Sequence, residues 1–471
     1  MSQKTVIGLE IHVQLKTKSK MFCRCDNNAE EATPNTLVCP ICMGMPGTLP
    51  VANKKAIEWT LKTGLALNSE IADFSRFDRK HYFYPDLPKG YQISQYDKPF
   101  CTGGFLEIDV DGNLKKIGIR RVHLEEDAGK LIHKDNSTLV DLNRAGTPLM
   151  EIVSEPDLNS PAEAKIFIQE LRSILRYLDV SDADMEKGHL RADANISVAE
   201  IRNPNDEIRM GIPVEIKNMN SFRMVERALA YEEKRQKEEL EAGNEITKET
   251  RGWNDAKGVT YSQRGKEFAQ DYRYFPEPDL PPFKPHQLFN IDQLKKELPE
   301  LPAQKRARYI NSMKLPLQDA AVLSIDKEMA TYFERVAEVV NPKLAANWVI
   351  NELKTDGILV IKPEDLADLL VRQEKGEISG KISKEILSLM LDTGKKPGEI
   401  IESKGIKQIG SEEELLRIID EVISENKKSV GDYQKGKKEA IGFLIGKVMQ
   451  KTQGQANPQI VLKLIKNKLK E

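Results

Sequence analysis

Val6-Ile7-Gly8-Leu9-Glu10-Ile11-His12-Val13-Gln14-Leu15 places an apolar residue at positions 7, 9, 11, 13 and 15. Side chains alternate across a β-strand, so one face of this stretch is apolar and Glu10, His12 and Gln14 share the other. The same period recurs at 118–124, 190–198 and 213–217. In 121–125, Val122 and Leu124 oppose Arg121, His123 and Glu125; in 190–198, five apolar residues oppose Arg191, Asp193, Asn195 and Ser197. Glu215 and Lys217 share a face, and Glu151 interrupts the apolar run 149–153. Helical stretches at 53–67, 161–178 and 221–241 separate these strands. The mixture predicts an α+β fold built on antiparallel sheet.

A sheet with one wet face produces such alternation without any function. The content of this face points further. Glu10, His12, Glu125 and Glu151 offer carboxylate oxygen and imidazole nitrogen to a divalent ion, for which magnesium or manganese is the chemical match. The alternation does not establish that these strands are neighbours, so both readings stand.

Five cysteines occur, at 23, 25, 39, 42 and 101. Cys23-Arg24-Cys25 and Cys39-Pro40-Ile41-Cys42 form two close pairs that can converge on one tetrahedral ion. Thiolates select zinc or an iron–sulfur cluster over hard cations; reduced, metal-free loop cysteines are the plainer alternative. With protein filling all four positions, the role is structural. Cys101 stands apart as a buried small hydrophobe. The chain opens on a strand pattern instead of a secretory leader, which argues against a disulfide scaffold and for a cytoplasmic protein.

Arg79-Lys80-His81-Tyr82-Phe83-Tyr84 through Lys89-Gly90-Tyr91-Gln92 interleaves cations with aromatics, as does Asp271-Tyr272-Arg273-Tyr274-Phe275. Such loops stack on bases and neutralise phosphate, or merely anchor a surface loop. Four prolines between 274 and 282 mark a boundary, and beyond residue 292 the apolar spacing turns helical. Helices are expected near 293–298, 302–312, 317–322, 326–338, 343–354, 363–374, 383–395, 412–425, 437–452 and 458–470, with a turn at 454–458. The division is then 1–292, 293–404 and 405–471.

The chain has 471 residues, 31% of them charged, and a net charge of −2. No run of about 18 apolar residues exists, which excludes a membrane-spanning helix. The balance is uneven: 427–471 holds eleven lysines against three acids, suited to a polyanion or to a solvated helix face. No G-x-G-x-x-G follows a strand. Gly431-x4-Gly436-Lys437-Lys438 lacks the Ser or Thr of a phosphate-binding loop, and no nucleophile elbow occurs. Nucleotide chemistry here needs another kind of site.

Gly8 to Leu15, Cys39-Pro40-Ile41-Cys42-Met43-Gly44-Met45-Pro46-Gly47, Arg79 to Tyr84, Leu124-Glu125-Glu126-Asp127, Asp141-Leu142-Asn143-Arg144-Ala145-Gly146, Glu215-Ile216-Lys217-Asn218 and the stretch from Asp271 to Asp279 together resemble one family. It is the family of B subunits of the bacterial aspartyl/glutamyl-tRNA(Asn/Gln) amidotransferases, the GatB family. The motifs cover the first 290 residues densely; the helical remainder matches in length and type.

The resemblance implies a cradle-like catalytic domain, a helical domain and a basic, tRNA-contacting tail domain. It implies that ATP phosphorylates the side-chain carboxylate of Glu-tRNA(Gln), and of Asp-tRNA(Asn), and that ammonia displaces the phosphate. The ammonia comes from an amidase partner, the A subunit, and the heterotrimer is completed by a small C subunit. Glu10, His12, Glu125 and Glu151 would then be catalytic, holding magnesium with Asp193 as a weaker ligand, and Glu125 would also handle a proton. Lys80, Lys89 and Arg191 would meet phosphate, and the four clustered cysteines would hold zinc. The competing reading is a zinc-stabilised tRNA-binding scaffold without catalysis. One departure is local: relatives usually carry Arg-Ser-Lys-Glu where this chain has Arg264-Gly265-Lys266-Glu267.

Overall fold

The computed structural model describes residues 2–201, 211–265, 272–353, 358, 360–404, 412–435, 437, 439–452, 456 and 458–470. It separates into two units, Met1–Pro302 and Ala303–Glu471.

The first unit is organised by a ten-stranded sheet. Its strands run in the order Val259–Gly265, Glu249–Asn254, Val214–Lys217, Leu190–Ile201, Ser2–Gln14, Pro148–Ser154, Asn113–Glu126, Cys101–Thr102 and Glu70–Ile71; Phe105–Val110 pairs with Asn113–Glu126 as a hairpin. The decisive strand thus lies in the middle. Its apolar face is fully used: Ile7, Ile11 and Val13 have no exposed surface, and Leu9 has 1%. Burying each such side chain contributes about 1.5–3 kcal/mol.

Helices Lys54–Ala66, Pro161–Tyr177 and Phe222–Glu241 share that core through Leu61, Phe167, Leu171 and Leu229. Their starts are encoded locally. The side chains of Asn53, Ser160 and Ser221 accept first-turn amides, and Pro161 occupies a position whose amide needs no partner. All three helices match the expected spans to within two residues.

The sheet is not wholly antiparallel. Val214–Lys217 and Glu249–Asn254 run parallel. The connection between them contains helix Phe222–Glu241, and a crossover of that length is what a parallel pair requires. Two smaller sheets complete the unit: Phe275–Pro276 with Asp78–His81 and Tyr91–Ser94, and the hairpin Lys130–Lys134 with Ser137–Asp141.

Among the described residues the second unit is helical, so α+β holds for the chain. Pro363–Glu374 and Glu412–Glu425 coincide with expectation. The helix expected at 343–354 begins at Pro342 and changes to a π-helical turn at Trp348–Leu353. Two clusters of apolar side chains form, one around Phe333, Trp348 and Leu366, the other around Ile419, Leu444 and Ile465. Helix Lys427–Gln434 has no buried residue, so no apolar period betrays it. The expected turn at 454–458 falls largely outside the described residues, as do Lys266, Glu267 and Asp271. No described helix is long and apolar enough to cross a membrane.

Candidate functional site

Four adjacent strands bring the polar residues together. Register sets His12 against Glu151 on one neighbour and Arg191 on the other. Glu151 in turn lies opposite His123. Directly opposed residues project to the same face. Arg191, His12, Glu151 and His123 therefore form one row across the sheet. Glu10 opposes Asp193 in the row to one side; on the other side Leu149 faces both Gln14 and Glu125.

His12 Nε2 lies 3.4 Å from Glu151 Oε2 and 3.8 Å from Glu125 Oε1. One ligand atom from each of the three falls within 4.8 Å of the others. His123 Nε2 sits 3.2 Å from Glu151 Oε2 and 3.9 Å from Glu125 Oε2. The Ser94 hydroxyl donates to Glu125 Oε2 at 2.9 Å. His123, Glu125 and Glu151 are all buried, at 2%, 3% and 8% exposure.

Two buried carboxylates this close demand positive charge. Burial disfavours the His12 imidazolium, but the Glu151 hydrogen bond and the Glu151 and Glu125 charges outweigh it and raise His12 to about 9. Burial pushes Glu151 up, yet the His123 and His12 rings hold its carboxyl well below the ordinary range. The pocket is thus negative enough to keep a proton on an imidazole. A divalent cation in that proton's place meets the same two carboxylates and a ring nitrogen, so the donor set fits one. His123 Nδ1, buried without a hydrogen-bond partner, is polar capacity that the fold leaves unused.

The remaining expected residues are placed as follows. Glu10 lies outside the three-ligand group; Asn195 Nδ2 donates to it at 3.2 Å, and burial, then Glu151, Glu215 and Asp193, raise its carboxyl. Asp193 accepts from Lys217 Nζ at 2.6 Å. Lys89 is paired with Glu126. Arg191 Nη2 donates to Asp127 Oδ2 at 2.9 Å, an atom that Gln14 Nε2 also reaches at 2.8 Å.

Lys80 is placed differently. Its ammonium lies 4.9 Å from the Tyr272 ring centroid. Burial works against its charge, but Glu125 first, and Tyr274 and Glu151 after it, raise its pKa. Tyr272 contacts the rings of Tyr82 and Tyr274, and Tyr274 stacks on Tyr96 at 4.4 Å. Arg79 fixes the following segment by a two-pronged bond to Glu277, at 2.7 and 2.8 Å. The two aromatic motifs of the sequence are thus one wall beside the carboxylates. A cavity of about 1030 Å³ lies at the Gln14 end of the face, lined in part by Asn143, Arg144, Thr147 and His189.

Sequence reasoning put His123 on this face without marking it as functional; strand register was the missing signal. Asp127 stood in the family motif 124–127 without a role of its own, and Ser94 carried no sequence signal at all.

The thiol cluster is separate. Cys23, Cys25, Cys39 and Cys42 each offer a sulfur within 4.8 Å of the other three. None forms a disulfide. The Cys39 amide donates to Cys42 Sγ at 3.0 Å. The Cys23 thiol hydrogen bond and that amide hold Cys42 down to about 4, against burial. Four converging sulfurs fit a tetrahedral, thiophilic ion. Cys101 is a fully buried core residue, as its isolation suggests.

Comparison with known proteins completes the picture. A family model described as the GatB/GatE catalytic domain matches residues 5–289, and one described as a GatB domain matches 331–469. The chain is 51% identical to the B subunit of the aspartyl/glutamyl-tRNA(Asn/Gln) amidotransferase of Thermotoga maritima, over 100% of this chain and 99% of that one. It is 50% identical to the proteins of the same name from Thermoanaerobacter pseudethanolicus and Persephonella marina, over the full length of both chains in each case.

Proposed function

Because the chain belongs to the B subunits of the aspartyl/glutamyl-tRNA(Asn/Gln) amidotransferases, we propose that its strand-borne face carries the two chemical steps of transamidation. In the first, a side-chain carboxylate oxygen of Glu-tRNA(Gln) or Asp-tRNA(Asn) attacks the γ-phosphorus of ATP, and ADP leaves. In the second, ammonia attacks the acyl carbon, the bond to the phosphate oxygen breaks, and phosphate leaves. The convergence of His12, Glu125 and Glu151 on one buried spot carries this reading, in a chain without a phosphate-binding loop.

His12, Glu125 and Glu151 would hold magnesium. Bound there, it supplies the charge neutralisation that phosphoryl transfer chiefly needs. Lys80 adds a cation that rests on an aromatic ring and, among the described residues, is paired with no carboxylate, so its charge is available to a phosphate. Lys89 and Arg191 meet phosphate only by loosening Glu126 and Asp127, and we assign them to the rim of the site. Glu10 and Asp193 extend the negative face beyond the three ligands. Glu125, which accepts a hydrogen bond from Ser94, would also take the proton that the attacking ammonia sheds.

The amidase partner is the ammonia source in this scheme, since no amidase nucleophile is evident here, and the small third partner completes the heterotrimer. The four-cysteine site holds zinc and fixes the loops flanking the sheet. In the tail at 405–471, Lys427, Lys428, Lys463 and Lys466 are exposed and suit the tRNA backbone, whose phosphates dominate affinity. The reaction belongs to the cytoplasm, where aminoacyl-tRNA is made.

The test uses the assembled complex with Glu-tRNA(Gln), ATP, magnesium and free ammonium, which bypasses the amidase. Gln-tRNA(Gln) forms only with ATP, and the Glu125→Gln complex makes none while still binding tRNA. Undiminished product from that variant would return the chain to the scaffold reading.

A further inference from the structure

A lysine is the residue type least expected inside a protein. Lys20 is nevertheless fully buried, at 0% exposure. An ammonium taken out of water persists only where an opposite charge or a full set of acceptors replaces its hydration. Its Nζ donates to Leu37 O at 2.8 Å and, weakly, to Leu142 O at 3.4 Å. Among the described residues no carboxylate pairs with it.

The anion on hand is sulfur. Lys20 and Cys42 flank the same glycine: a Cβ added at Gly146 would stand 3.6 Å from Lys20 Cδ, 3.8 Å from Cys42 Cβ and 3.9 Å from Glu126 Oε2, and that carboxylate is already paired with Lys89. The Lys20 amide also donates to Cys25 O at 3.0 Å, which anchors the residue in the cysteine loop. Four thiolates around one divalent ion leave two surplus negative charges.

We infer that Lys20 is the buried counter-cation of the four-cysteine centre, cancelling one of those charges and tying the cysteine loop to the 142–147 turn. The inference rests on the reading of the four cysteines as zinc ligands. The tie has a mechanical consequence. Leu37 belongs to the segment between the cysteine pairs, and Leu142 opens the turn whose Gly146 N donates to Asp127 O and whose Thr147 O accepts from Asp127 N. Asp127 in turn holds Arg191 and Gln14 at the edge of the reaction face. Lys20 thus joins the ion site that stabilises the fold to the turn that backs the site of chemistry.

The experiment measures zinc affinity of the full complex by competition with a chromophoric chelator. Lys20→Met keeps the length and removes the charge; the expected loss is on the order of ten- to a hundredfold, as for other partners of metal ligands. Lys20→Arg retains affinity to within a few-fold. Cys39→His replaces an anionic ligand with a neutral one, and in that background the cost of Lys20→Met falls to a few-fold. Unchanged affinity in Lys20→Met, or an equal cost in both backgrounds, overturns the charge pairing. Should Lys20→Met alone not fold, recovery of folded, zinc-loaded protein in Cys39→His/Lys20→Met supports the pairing, and failure of both variants overturns it. A wild-type complex that takes up no zinc removes the cysteine reading itself, and the inference with it.

Discussion

Among its described residues the first unit holds two clusters able to bind an ion, and they are built in opposite ways. The cysteine cluster draws four soft ligands from two short loops between residues 23 and 42, and three of the four are partly exposed. The His12 cluster draws three harder ligands from three neighbouring strands, and its two carboxylates are buried. Four thiolates complete a tetrahedron and leave nothing for a substrate. Three donors leave a magnesium ion, which takes six oxygen-rich ligands, with places open for phosphate and carboxylate. A closed site contributes to stability and an open one to chemistry. Rigidity follows the same division, since a closed site fastens mobile loops while an open one needs a sheet already held by its core.

The largest expected effect breaks the chemistry and spares the fold. Glu151→Gln keeps the shape but removes a charged ligand, and ion stabilisation of the transition state is worth several kcal/mol. Amide formation from free ammonium falls by about a thousandfold. Thermal stability falls modestly, because the Glu151 charge that His12 and His123 stabilise in the fold is gone; a loss as large as that of a cysteine ligand would mean that this cluster, too, is structural. Cys42→Ser acts in the opposite sense. It destabilises the first unit by at least about 3 kcal/mol, less than the roughly 10–16 kcal/mol that zinc gives small fingers, because this unit has an apolar core of its own. The residual folded complex at low temperature still makes product. Equal melting curves with and without a zinc chelator would dissolve the distinction.

These two clusters also differ in how far they can be seen in the sequence. The cysteine site was legible because its ligands are close in the chain, so spacing alone implies convergence. Alternation placed His12 and Glu125 on wet faces and Glu151 stood out in an apolar run, but their meeting depends on which strands pair and in what register, both set by packing over long range. Pairing is equally invisible. Lys89, Arg191 and Asp193 are right in type for phosphate or metal, and in the fold each has a charged partner: Glu126, Asp127 and Lys217. Lys80 looked no different from Lys89 until its aromatic neighbour was located. Helices were legible where caps and apolar period coincide, as at Pro161–Tyr177, and not where a helix buries nothing, as at Lys427–Gln434. The parallel strand pair was hidden because direction depends on the path of a crossover.

A smaller effect sharpens the open site. His123 touches Glu151 without belonging to the three-ligand group, so it should position a ligand instead of holding the ion. Partners of this kind are worth about ten- to a hundredfold in metal affinity. His123→Asn should therefore raise the magnesium concentration needed for half-maximal activity by that factor, while kcat at saturating magnesium stays within a few-fold of wild type. Glu151→Gln, by contrast, loses kcat at every magnesium concentration. A His123→Asn variant that behaves in the same way would promote His123 to a direct participant in the reaction.

The smallest effect tests the cysteine reading from its margin. Cys101 is chemically identical to the other four, but it sits inside the apolar core, with its thiol 3.8 Å from the Thr60 carbonyl and its sulfur filling the space that Gly64 leaves. Burial alone pushes its thiol pKa up, so it is a poor nucleophile and a poor ligand. Cys101→Ala removes one buried sulfur and should cost about 1 kcal/mol, in the range of other small core truncations. Zinc content and amide formation should not change. In the folded complex under chelation, a thiol reagent should count the four loop cysteines and miss the fifth. Loss of zinc in Cys101→Ala would show that spacing in the chain had misidentified the ligands, and that the closed site, like the open one, has to be read from the fold.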